Sequence, residues 1–344
     1  MQNSEIVLVT GGTGAVGANC ILQLLQKGYH VKTTLRSISK QNEVIALLKN
    51  GGITSFDNLS FAEADLTKDD NWQTIMQGCK YVLHVASPTH INSNDESAMI
   101  STAVDGVLRV LKAARDAGVK RVVLTSSFGA LGFSNKDKHS TTTEANWTDT
   151  NDKGLSAYEK SKGLAERAAW DFMKTEGGSL ELAVINPVAI FGPLLGPSTS
   201  PSFGLIKLLL TGWPMKAIPN LPLNGVDIRD VADLHIRAMT TTEAAGQRFI
   251  ASADGEISLP QIASLLKNKM PAISQKVSLK ILPNWVLRVA SLFNPQAKQA
   301  LNMLQINRRV SNAKARRVLG WKPIANNEEA VLASAESMVK FGLV

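Results

Sequence analysis

The sequence is poor in several features that mark particular classes of protein. Its two cysteines, Cys20 and Cys79, lie far apart, with no C-x-x-C pair and no Cys/His cluster beside them. A disulfide framework and a zinc site are therefore both disfavoured. No apolar run reaches the length of a membrane span, and no basic stretch followed by an apolar one opens the chain. We expect a reduced, cytoplasmic protein with no metal and no membrane partner.

Composition is that of a globular protein, with 44% hydrophobic and 19% charged residues in 344. This length suits one large or two ordinary domains. A net charge of +8 would suit a nucleic-acid partner, but Lys and Arg are scattered, the densest patches being 308–309 and 314–317. No basic stripe interleaved with aromatic residues accompanies them. We interpret the charge as a solvated surface that helps to attract an anionic cofactor, and expect no nucleic acid.

A glycine-rich turn near the N-terminus is the most informative feature that is present. The β-branched run 6–10 breaks into glycines at 11, 14 and 17, and an apolar helical stretch follows at 18–25. In this context Gly11 allows a tight turn, Gly14 lets a pyrophosphate approach, and Gly17 lets the helix pack on the strand. The helix N-terminus would attract the phosphates. Gly12, Gly14 and Gly17 also fit the pattern G-x-G-x-x-G, so the sequence alone does not decide which glycines take these roles.

Strand-like and helix-like segments alternate through the first half of the chain. The predicted strands are 5–10, 30–35, 59–63, 81–85, 121–125 and 181–185, and the predicted helices are 19–27, 41–49, 71–77, 98–117 and 157–174. This alternation predicts an α/β fold, a Rossmann doubly wound parallel sheet with right-handed crossovers. We predict a dinucleotide-binding Rossmann domain of residues 1–189 plus about 226–240. A smaller, mainly helical C-terminal substrate lobe would comprise 190–225 and 241–344.

A tyrosine, a lysine and a serine form a second constellation. Tyr158 and Lys162 are four residues apart at the start of a predicted helix, so they share one face. The phenol has a free pKa of ~10, which a nearby ammonium group lowers, and an acid–base tyrosine needs such tuning. Ser127 follows strand 121–125, at the sheet edge where ligands bind. The combination predicts a proton donor and a hydroxyl that orients a substrate oxygen.

The end of the second strand carries a signal for the cofactor. Arg36 stands there with Lys40 nearby, and residues 30–42 contain no Asp or Glu. An acidic residue at this point would bind the ribose 2′-hydroxyl of NAD, whereas an arginine accommodates the 2′-phosphate of NADP. Its guanidinium can also stack on the adenine. We therefore predict NADP rather than NAD.

These motifs together resemble those of the extended short-chain dehydrogenase/reductases. Within that family the chain is similar to the dihydroflavonol-reductase-like and aldehyde/ketone reductase branch. The resemblance runs nearly end to end, through 10–17, 64–66, 84–88, 125–127, Tyr158 with Lys162, 186–187, 191–193, 227–233 and 319–323.

The resemblance implies roles for individual residues. Ser127 would orient the carbonyl, Tyr158 would donate the proton, and Lys162 would hold the nicotinamide ribose and lower the tyrosine pKa. Residues implied to contact NADP are Gly11, Thr13, Gly14, Ala15, Val16, Gly17, Arg36, Lys40, Asp65, Leu66, Val85, Ala86, Ser87, Thr125, Tyr158, Lys162, Pro187, Ile190 and Ser202. We interpret His84 as a packing residue of its strand.

Departures from the family pattern narrow the expected substrate. Ala103 stands where many members have an asparagine of a water relay, and Gly132 stands where flavonoid-active members have an asparagine. The motif of cinnamoyl-CoA reductases is also missing around Tyr158. A broad reductase of small-molecule aldehydes or ketones, as a monomer or homodimer, fits better. We expect four apolar residues to line the substrate pocket: Phe128, Leu131, Phe203 and Trp213.

Two other functions remain as alternatives. A sugar-nucleotide epimerase or dehydratase, or a 3β-hydroxysteroid dehydrogenase, would share the superfamily. Epimerases normally retain NAD, and no cluster of arginines is visible that could hold a nucleotide diphosphate. A non-catalytic NADP-sensing protein is the third possibility, although such relatives usually lack the tyrosine and lysine that are present here.

Overall fold

A computed structural model describes residues 5–87, 96–197, 200–212 and 217–344. The strands are β1 Ile6–Thr10, β2 His30–Leu35, β3 Leu59–Glu63, β4 Cys79–His84, β5 Arg121–Thr125, β6 Glu181–Pro187, β7 Ala189–Phe191, β8 Ile218–Pro219, β9 Pro222–Leu223, β10 Gly225–Asp227, β11 Gln247–Ala251, β12 Ile257–Ser258 and β13 Ile281–Leu282. The α-helices are α1 Ala15–Gln26, α2 Gln41–Asn50, α3 Trp72–Met76, α4 Glu96–Asp116, α5 Ala157–Thr175, α6 Pro201–Thr211, α7 Ile228–Thr240, α8 Leu259–Lys269, α9 Asn284–Ala290, α10 Pro295–Gln305, α11 Ala313–Leu319 and α12 Asn327–Lys340. Short 3₁₀ helices cover Ile38–Lys40, Phe128–Ala130 and Thr242–Ala244.

Within the described residues, a seven-stranded parallel sheet organises the larger part of the molecule. Its strand order is β11-β6-β5-β4-β1-β2-β3, and every neighbouring pair is parallel. The order reverses between β1 and β4, and open α/β sheets bind ligands at such a switch point, outside the carboxyl ends of the strands. The predicted Rossmann α/β fold is confirmed.

Two details of the sequence prediction differ from the structure. Helix α1 begins at Ala15, directly after the glycine turn, rather than at residue 19. Strand β11 pairs in register with β6, so 247–251 extend the main sheet, although the prediction placed 241–344 in the substrate lobe. The reason is local: Phe249 and Ala251 are fully buried and join the same apolar core as β6.

Apolar side chains on both faces of the sheet account for its stability. One core lies under α1, α2 and α7 and includes the fully buried Trp321, whose indole Nε1 donates to Asp230 Oδ1 over 3.0 Å. The opposite core lies under α4 and α5. A third core is built by α6, α8 and α12. Val16 and Ile190 pack against the first and third cores, so the N-terminus of α1 lies where these two cores meet.

Capping residues fix the starts of the two helices that matter most for the site. Ser156 and Glu159 form a capping box at α5, with Ser156 N–H and Oγ–H donating to Glu159 and the Glu159 N–H donating to Ser156 Oγ. This cap sets Tyr158 in the first turn of α5. In α7, the buried Asp227 accepts from Arg229 N–H at 2.8 Å and pairs with its guanidinium.

Every helix in the described segments is too short or too polar to cross a bilayer.

Candidate active site

The glycine turn after β1 forms a tight, open cradle. Gly11 has a φ of +76°, which favours glycine, and its carbonyl accepts from Gly14 N–H at 3.0 Å. A Cβ at Gly17 would lie 2.3 Å from the Gly11 carbonyl oxygen, so only glycine lets α1 approach the turn this closely. Gly12 has no positive φ, and a Cβ there would meet Thr33 Oγ1 at 2.4 Å. A side chain is therefore excluded at Gly12 and Gly17 by close contacts and disfavoured at Gly11 by its φ, whereas Gly14 has a negative φ and a nearest contact of 3.3 Å.

Helix α1 presents its N-terminus to this cradle without a protein cap. Gly14 is the N-cap residue, no side chain caps the helix, and the first turn contains no acidic residue. Thr13, Ala15 and Val16 lie at the same end and are partly or fully exposed. Backbone N–H groups and the positive end of the helix dipole therefore remain available to an anion. The turn thus presents backbone donors of the kind that bind anionic groups.

Thr10 holds the end of β4 beside the turn, a role that we did not predict from the sequence. Its Oγ1 accepts from the N–H groups of Val85 and Ala86, each at 3.0 Å, so its own hydrogen goes to His84 Nδ1 at 2.9 Å. Neutral His84 therefore carries its proton on Nε2. Burial, with the nearby Lys162 charge, lowers the pKa of His84 to about 3, so the ring is neutral at physiological pH. Ser87 follows at the same edge and is partly buried.

The end of β2 is the predicted cofactor-specificity point. Arg36 is exposed there and forms no ion pair within the residues that the structure describes. Lys40 is exposed and pairs with Glu43 at 3.6 Å. Glu63, which the sequence prediction overlooked, ends the neighbouring strand β3, but its Oε2 accepts from Ile38 N–H at 3.0 Å. One oxygen of this carboxylate therefore already accepts a hydrogen bond from the first residue of the 3₁₀ helix Ile38–Lys40.

Asp65 and Leu66 lie just beyond β3, close to Arg36. Asp65 Oδ1 accepts from Thr67 N–H at 2.9 Å and from Thr67 Oγ1 at 2.8 Å. The Thr67 backbone hydrogen bond, helped by the Arg36 and Lys68 charges, lowers the pKa of Asp65. Leu66 is half-buried and packs with the core under α4. Both residues are therefore fixed in position at the carboxyl edge of the sheet.

Ser127, Tyr158 and Lys162 are held where β5 ends and α5 begins. Lys162 is buried and its Nζ donates to the Thr125 carbonyl oxygen at 3.3 Å. The same Nζ lies 5.9 Å from the centre of the Tyr158 ring. Ser127 caps the 3₁₀ helix Phe128–Ala130, its Oγ accepting from Gly129 N–H at 3.0 Å, and α5 packs on this short helix.

Burial shifts the pKa values of Lys162 and Tyr158, the two titratable side chains of this group. It lowers the pKa of Lys162 to about 8, because a buried ammonium loses hydration. Burial, together with the Glu159 carboxylate, raises the pKa of Tyr158 to about 12. We expected the lysine to lower the tyrosine pKa. In the protein without cofactor the pKa of Tyr158 is raised instead, because burial disfavours the phenolate and the Glu159 carboxylate acts in the same direction.

A buried network that the sequence did not reveal supports the end of β5. Asn186 Nδ2 donates to the Ser127 carbonyl at 3.2 Å and to Glu166 Oε2 at 2.7 Å. Glu166 in turn pairs with Arg248 at 2.6 Å, and both side chains are almost completely buried. The Arg248 guanidinium lies 3.7 Å from the centre of the Trp147 ring. Glu166 stands one turn after Lys162, and this spacing was the only sequence signal available.

His235 is a second support from a distant part of the chain. Its Nδ1 lies 2.7 Å from the Val231 carbonyl, which can only accept, so Nδ1 carries the proton. Burial lowers the pKa of His235 to about 4, and the neutral Nε2 accepts from Thr125 Oγ1 at 2.6 Å. Thr125 is therefore fixed twice, by its hydroxyl to His235 and by its carbonyl to Lys162.

A cavity of about 20 Å³ lies between β4, β5, α4 and α5, and Lys162 lines it. His84 Nε2 and Ser126 Oγ, both buried, have no hydrogen-bond partner within the described residues, and both residues also line this cavity. Ala103, at the position of the family asparagine, is a further wall. This cavity is thus lined by polar side chains as well as by Ala103, and it adjoins Lys162.

The described side chains that we predicted to line the substrate pocket are buried rather than accessible to a ligand. Phe128 and Leu131 are buried in a cluster with Ile250 and Ile306, and Phe203 is buried in the third core. Trp213 lies outside the described residues. Ile190 N–H donates to Ser202 Oγ at 3.1 Å, which joins two of the predicted cofactor contacts, and Pro187 is buried at the end of β6. The three described pocket residues therefore act as core side chains in this structure.

Comparison with known proteins gives a consistent picture. Residues 7–251 match the family model described as the NAD dependent epimerase/dehydratase family. An anthocyanidin reductase from Vitis vinifera is 36% identical over 278 residues, covering 76% of this chain and 80% of that protein. A putative NADPH-dependent methylglyoxal reductase, GRP2, from Candida albicans is 31% identical over 344 residues, covering 94% and 95%. The crystal structure of Gre2 from Candida albicans in complex with NADPH has a TM-score of 0.81 at 29% identity, covering 98% of this chain and 99% of that one.

Proposed function

The chain belongs to the NAD-dependent epimerase/dehydratase family, and from that premise we propose that it reduces uncharged aldehydes or ketones with Tyr158 as proton donor. Its relatives include an anthocyanidin reductase and a putative NADPH-dependent methylglyoxal reductase, and a similar solved structure is a complex with NADPH. The chain is accordingly an NADP-dependent oxidoreductase of carbonyl and alcohol groups. The proton donor and the substrate class are the parts that we propose.

The described residues fit the cofactor. The cradle of Gly11, Gly14 and Gly17, with the uncapped start of α1, would hold the pyrophosphate. Arg36, exposed and without an ion pair in the described segments, would take the 2′-phosphate, with Lys40 beside it. Residues proposed to complete the site are Thr13, Ala15, Val16, Asp65, Leu66, Val85, Ala86, Ser87, Thr125, Lys162, Pro187, Ile190 and Ser202. When bound, NADPH supplies the hydride.

The observation that carries the proposal is the buried Lys162, hydrogen-bonded to Thr125 and adjoining the Tyr158 ring. With a pKa near 12, Tyr158 is protonated at neutral pH, which is the state that a donor to a carbonyl oxygen needs. Lys162, with a pKa of about 8, is still mostly charged at pH 7 and would stabilise the phenolate left after the transfer. Ser127 would orient the carbonyl oxygen.

The replacement Tyr158→Phe tests the proton donor. It removes the hydroxyl and retains the ring, so kcat/KM for carbonyl reduction should fall by ~10²–10⁴-fold, the usual effect of losing a general acid. The dissociation constant for NADPH, measured by fluorescence titration, should change little. Tyr81→Phe, at a buried tyrosine of β4, is the matched control and should keep its activity. Near-normal turnover by Tyr158→Phe would contradict the assignment.

A substrate panel tests the second part of the proposal. We expect NADPH oxidation with uncharged aromatic or branched aldehydes and ketones, and none with UDP-sugars. The prediction depends on the apolar cluster of Phe128 and Leu131 next to Ser127. It also depends on the absence of arginine among the described residues that line the cavity beside Lys162, since a diphosphate would need such a partner. Efficient conversion of a UDP-sugar, with no reaction of apolar carbonyl compounds, would favour an epimerase or dehydratase instead.

A further inference from the structure

Acidic residues are unevenly distributed along the chain, and the net charge is therefore uneven too. Residues 257–327 contain twelve Lys and Arg but no Asp or Glu. The remaining residues carry 25 cations and all 29 acids, so they have a net charge of −4. We described the cations as scattered in sequence, but the excess positive charge of the protein comes entirely from this one segment.

An apolar surface lies within the same segment. Leu279, Ile281, Trp285, Val289, Leu292 and Phe293 are all large and 53–84% exposed, and we call them the α9 face. The last four recur at helical spacing through α9 and the turn after it, so they point to one side. Single exposed apolar residues are ordinary, whereas large exposed apolar residues grouped together are characteristic of interaction surfaces.

Exposed cations flank this face. Lys276, Lys280, Arg288 and Lys298 are all exposed, and none forms an ion pair with another described residue. Arg288 lies in α9 itself, between Trp285 and Val289. The surface therefore combines Trp, Phe and Leu side chains with unpaired positive charge, which is the composition of helices that lie in the interface of an anionic bilayer.

The α9 face is also close to the candidate active site. Helix α9 packs against α10, and Asn302 of α10 donates from Nδ2 to the Gly154 carbonyl at 3.2 Å, just before the cap of α5. Met303 of α10 packs with Phe128 and Phe133 beside the catalytic serine. One helix thus separates the α9 face from the elements that carry Ser127 and Tyr158.

We propose that the α9 face and its four cations bind the protein peripherally to an anionic lipid surface. The apolar side chains would enter the boundary between headgroups and acyl chains, and the cations would contact the lipid phosphates. Such binding needs no membrane span, and it departs from the expectation of no membrane partner. The active site would then lie beside a lipid phase in which apolar carbonyl compounds accumulate.

Two other occupants fit the same observations less well. In a twofold symmetric dimer the same patch would face its copy, so four cations would oppose four cations without a neutralising acid. Nucleic acid would match the cations but would leave the aliphatic side chains Leu279, Ile281, Val289 and Leu292 without a partner. A lipid surface satisfies both the charge and the apolar area.

Co-sedimentation of the full-length protein with vesicles tests the proposal. The protein should sediment with vesicles of phosphatidylcholine mixed with phosphatidylglycerol, much less with phosphatidylcholine alone, and high salt should release it. Leu292→Ser with Phe293→Ser should lower the partition coefficient by about a hundredfold, since each side chain contributes roughly tenfold. Lys276→Gln, Lys280→Gln and Arg288→Gln together should also lower it by about a hundredfold, at roughly fivefold per cation.

Matched replacements outside the face provide the control. Ile324 and Lys322 are exposed elsewhere in the segment, and Ile324→Ser with Lys322→Gln should leave vesicle binding unchanged. All variants should retain the NADPH affinity of the original protein, which shows that they are folded. Failure to bind anionic vesicles, or equal binding by the face variants, would overturn the proposal. So would a dimer in light scattering that the face variants dissociate, or salt-sensitive binding to DNA in place of vesicles.

Discussion

Burial acts on the two titratable residues of the site in complementary ways. It disfavours the charged form of each, so Tyr158 keeps its proton while Lys162 holds its proton less firmly. A tyrosine with a raised pKa is a weak acid, and it can give up its proton only when something stabilises the phenolate. Lys162, fixed by the Thr125 carbonyl, is the nearby cation. Its position in the site thus follows from one hydrogen bond at the end of β5.

Arg36 should decide between the two nicotinamide cofactors. Arg36→Ala should raise the dissociation constant for NADPH by roughly 10- to 150-fold, the effect of losing a charge-assisted hydrogen bond. The constant for NADH should change little, because only NADPH has a 2′-phosphate. Fluorescence titration with each cofactor measures both constants, and Lys322→Ala is a control for loss of one exposed cation. If the unmodified protein prefers NADH, the interpretation of Arg36 is wrong.

At the residue scale, the sequence indicated the groups proposed to touch ligands but not those that hold them in place. Ser127, Tyr158 and Lys162 stand in a local pattern that motif and spacing make visible. Glu166 and Arg248 are separated by 82 positions, and Thr125 and His235 by 110. Nothing in local sequence predicts such pairs, because they exist only once the fold brings α5, α7 and β11 against β5 and β6. Removing one partner of the buried Glu166–Arg248 pair would leave an uncompensated charge, at a cost of about 3–5 kcal/mol.

At the scale of elements, the strand, turn and helix that open the chain act as one unit. Helix α1 can lie this close to β1 only because Gly17 has no side chain, and the closeness directs the helix N-terminus into the cradle. The cradle is therefore a consequence of packing as well as of turn geometry. A change that moves α1 outward should affect both stability and cofactor binding.

A pair of glycine replacements tests this coupling. Gly17→Ala places a Cβ 2.3 Å from the Gly11 carbonyl oxygen, so the backbone must shift; we expect a loss of about 1–3 kcal/mol in the free energy of unfolding. NADPH affinity should fall with it. Gly204→Ala is the control, because this glycine lies within α6 with no atom within 4 Å of an added Cβ. It should stabilise the protein by about 0.5–1 kcal/mol and leave NADPH affinity unchanged. Urea unfolding and cofactor titration measure both effects, and unaltered values for Gly17→Ala would contradict the coupling.

The sequence predicted long elements better than short ones. All six predicted strands begin and end within two residues of their observed bounds, and β2, β3 and β5 agree at both ends. Most of these strands are buried along nearly their whole length, so each appears in the sequence as a short apolar run. Strands β7 to β10 have two or three residues each, too few for any periodicity to show. Strand β7 nevertheless contains Ile190, and β10 ends at Asp227, which caps α7. Part of the proposed site therefore depends on elements that composition alone does not reveal.

At the scale of the whole molecule, one segment of the chain differs in charge from the rest. Residues 257–327 contain twelve basic and no acidic residues, whereas the other residues have a net charge of −4. The net charge of the whole chain does not show this asymmetry. Our sequence-based interpretation of a generally basic surface used only that net charge. Exposure in the folded chain was needed to separate the cations of the α9 face from those used internally, such as Arg316, which pairs with Asp254 at 2.6 Å.

Buried histidines should make the stability of the molecule depend on pH. His84 and His235 have folded pKa values of about 3 and about 4, below the unfolded value, so the unfolded chain binds more protons as the pH falls below ~6.5. Stability should therefore be complete above this pH and decline towards pH 4, each histidine contributing a slope of about 1.4 kcal/mol per pH unit.

Asp230 should oppose this decline. Burial, with Asp227 and Asp233 nearby, raises its pKa to about 6, despite hydrogen bonds from Ile324 N–H and the Trp321 indole. The folded chain therefore takes up this proton between pH ~6 and ~4, before the unfolded chain does, and gains stability. Chemical unfolding at a series of pH values should show Asp230→Asn declining more steeply than the unmodified protein, by about 1.4 kcal/mol per unit. His84→Gln should decline less steeply, whereas His139→Gln, at an exposed side chain, should leave the slope unchanged. If Asp230→Asn gave a slope equal to or shallower than that of the unmodified protein, Asp230 would be charged throughout this range, held so by the Trp321 and Ile324 donors.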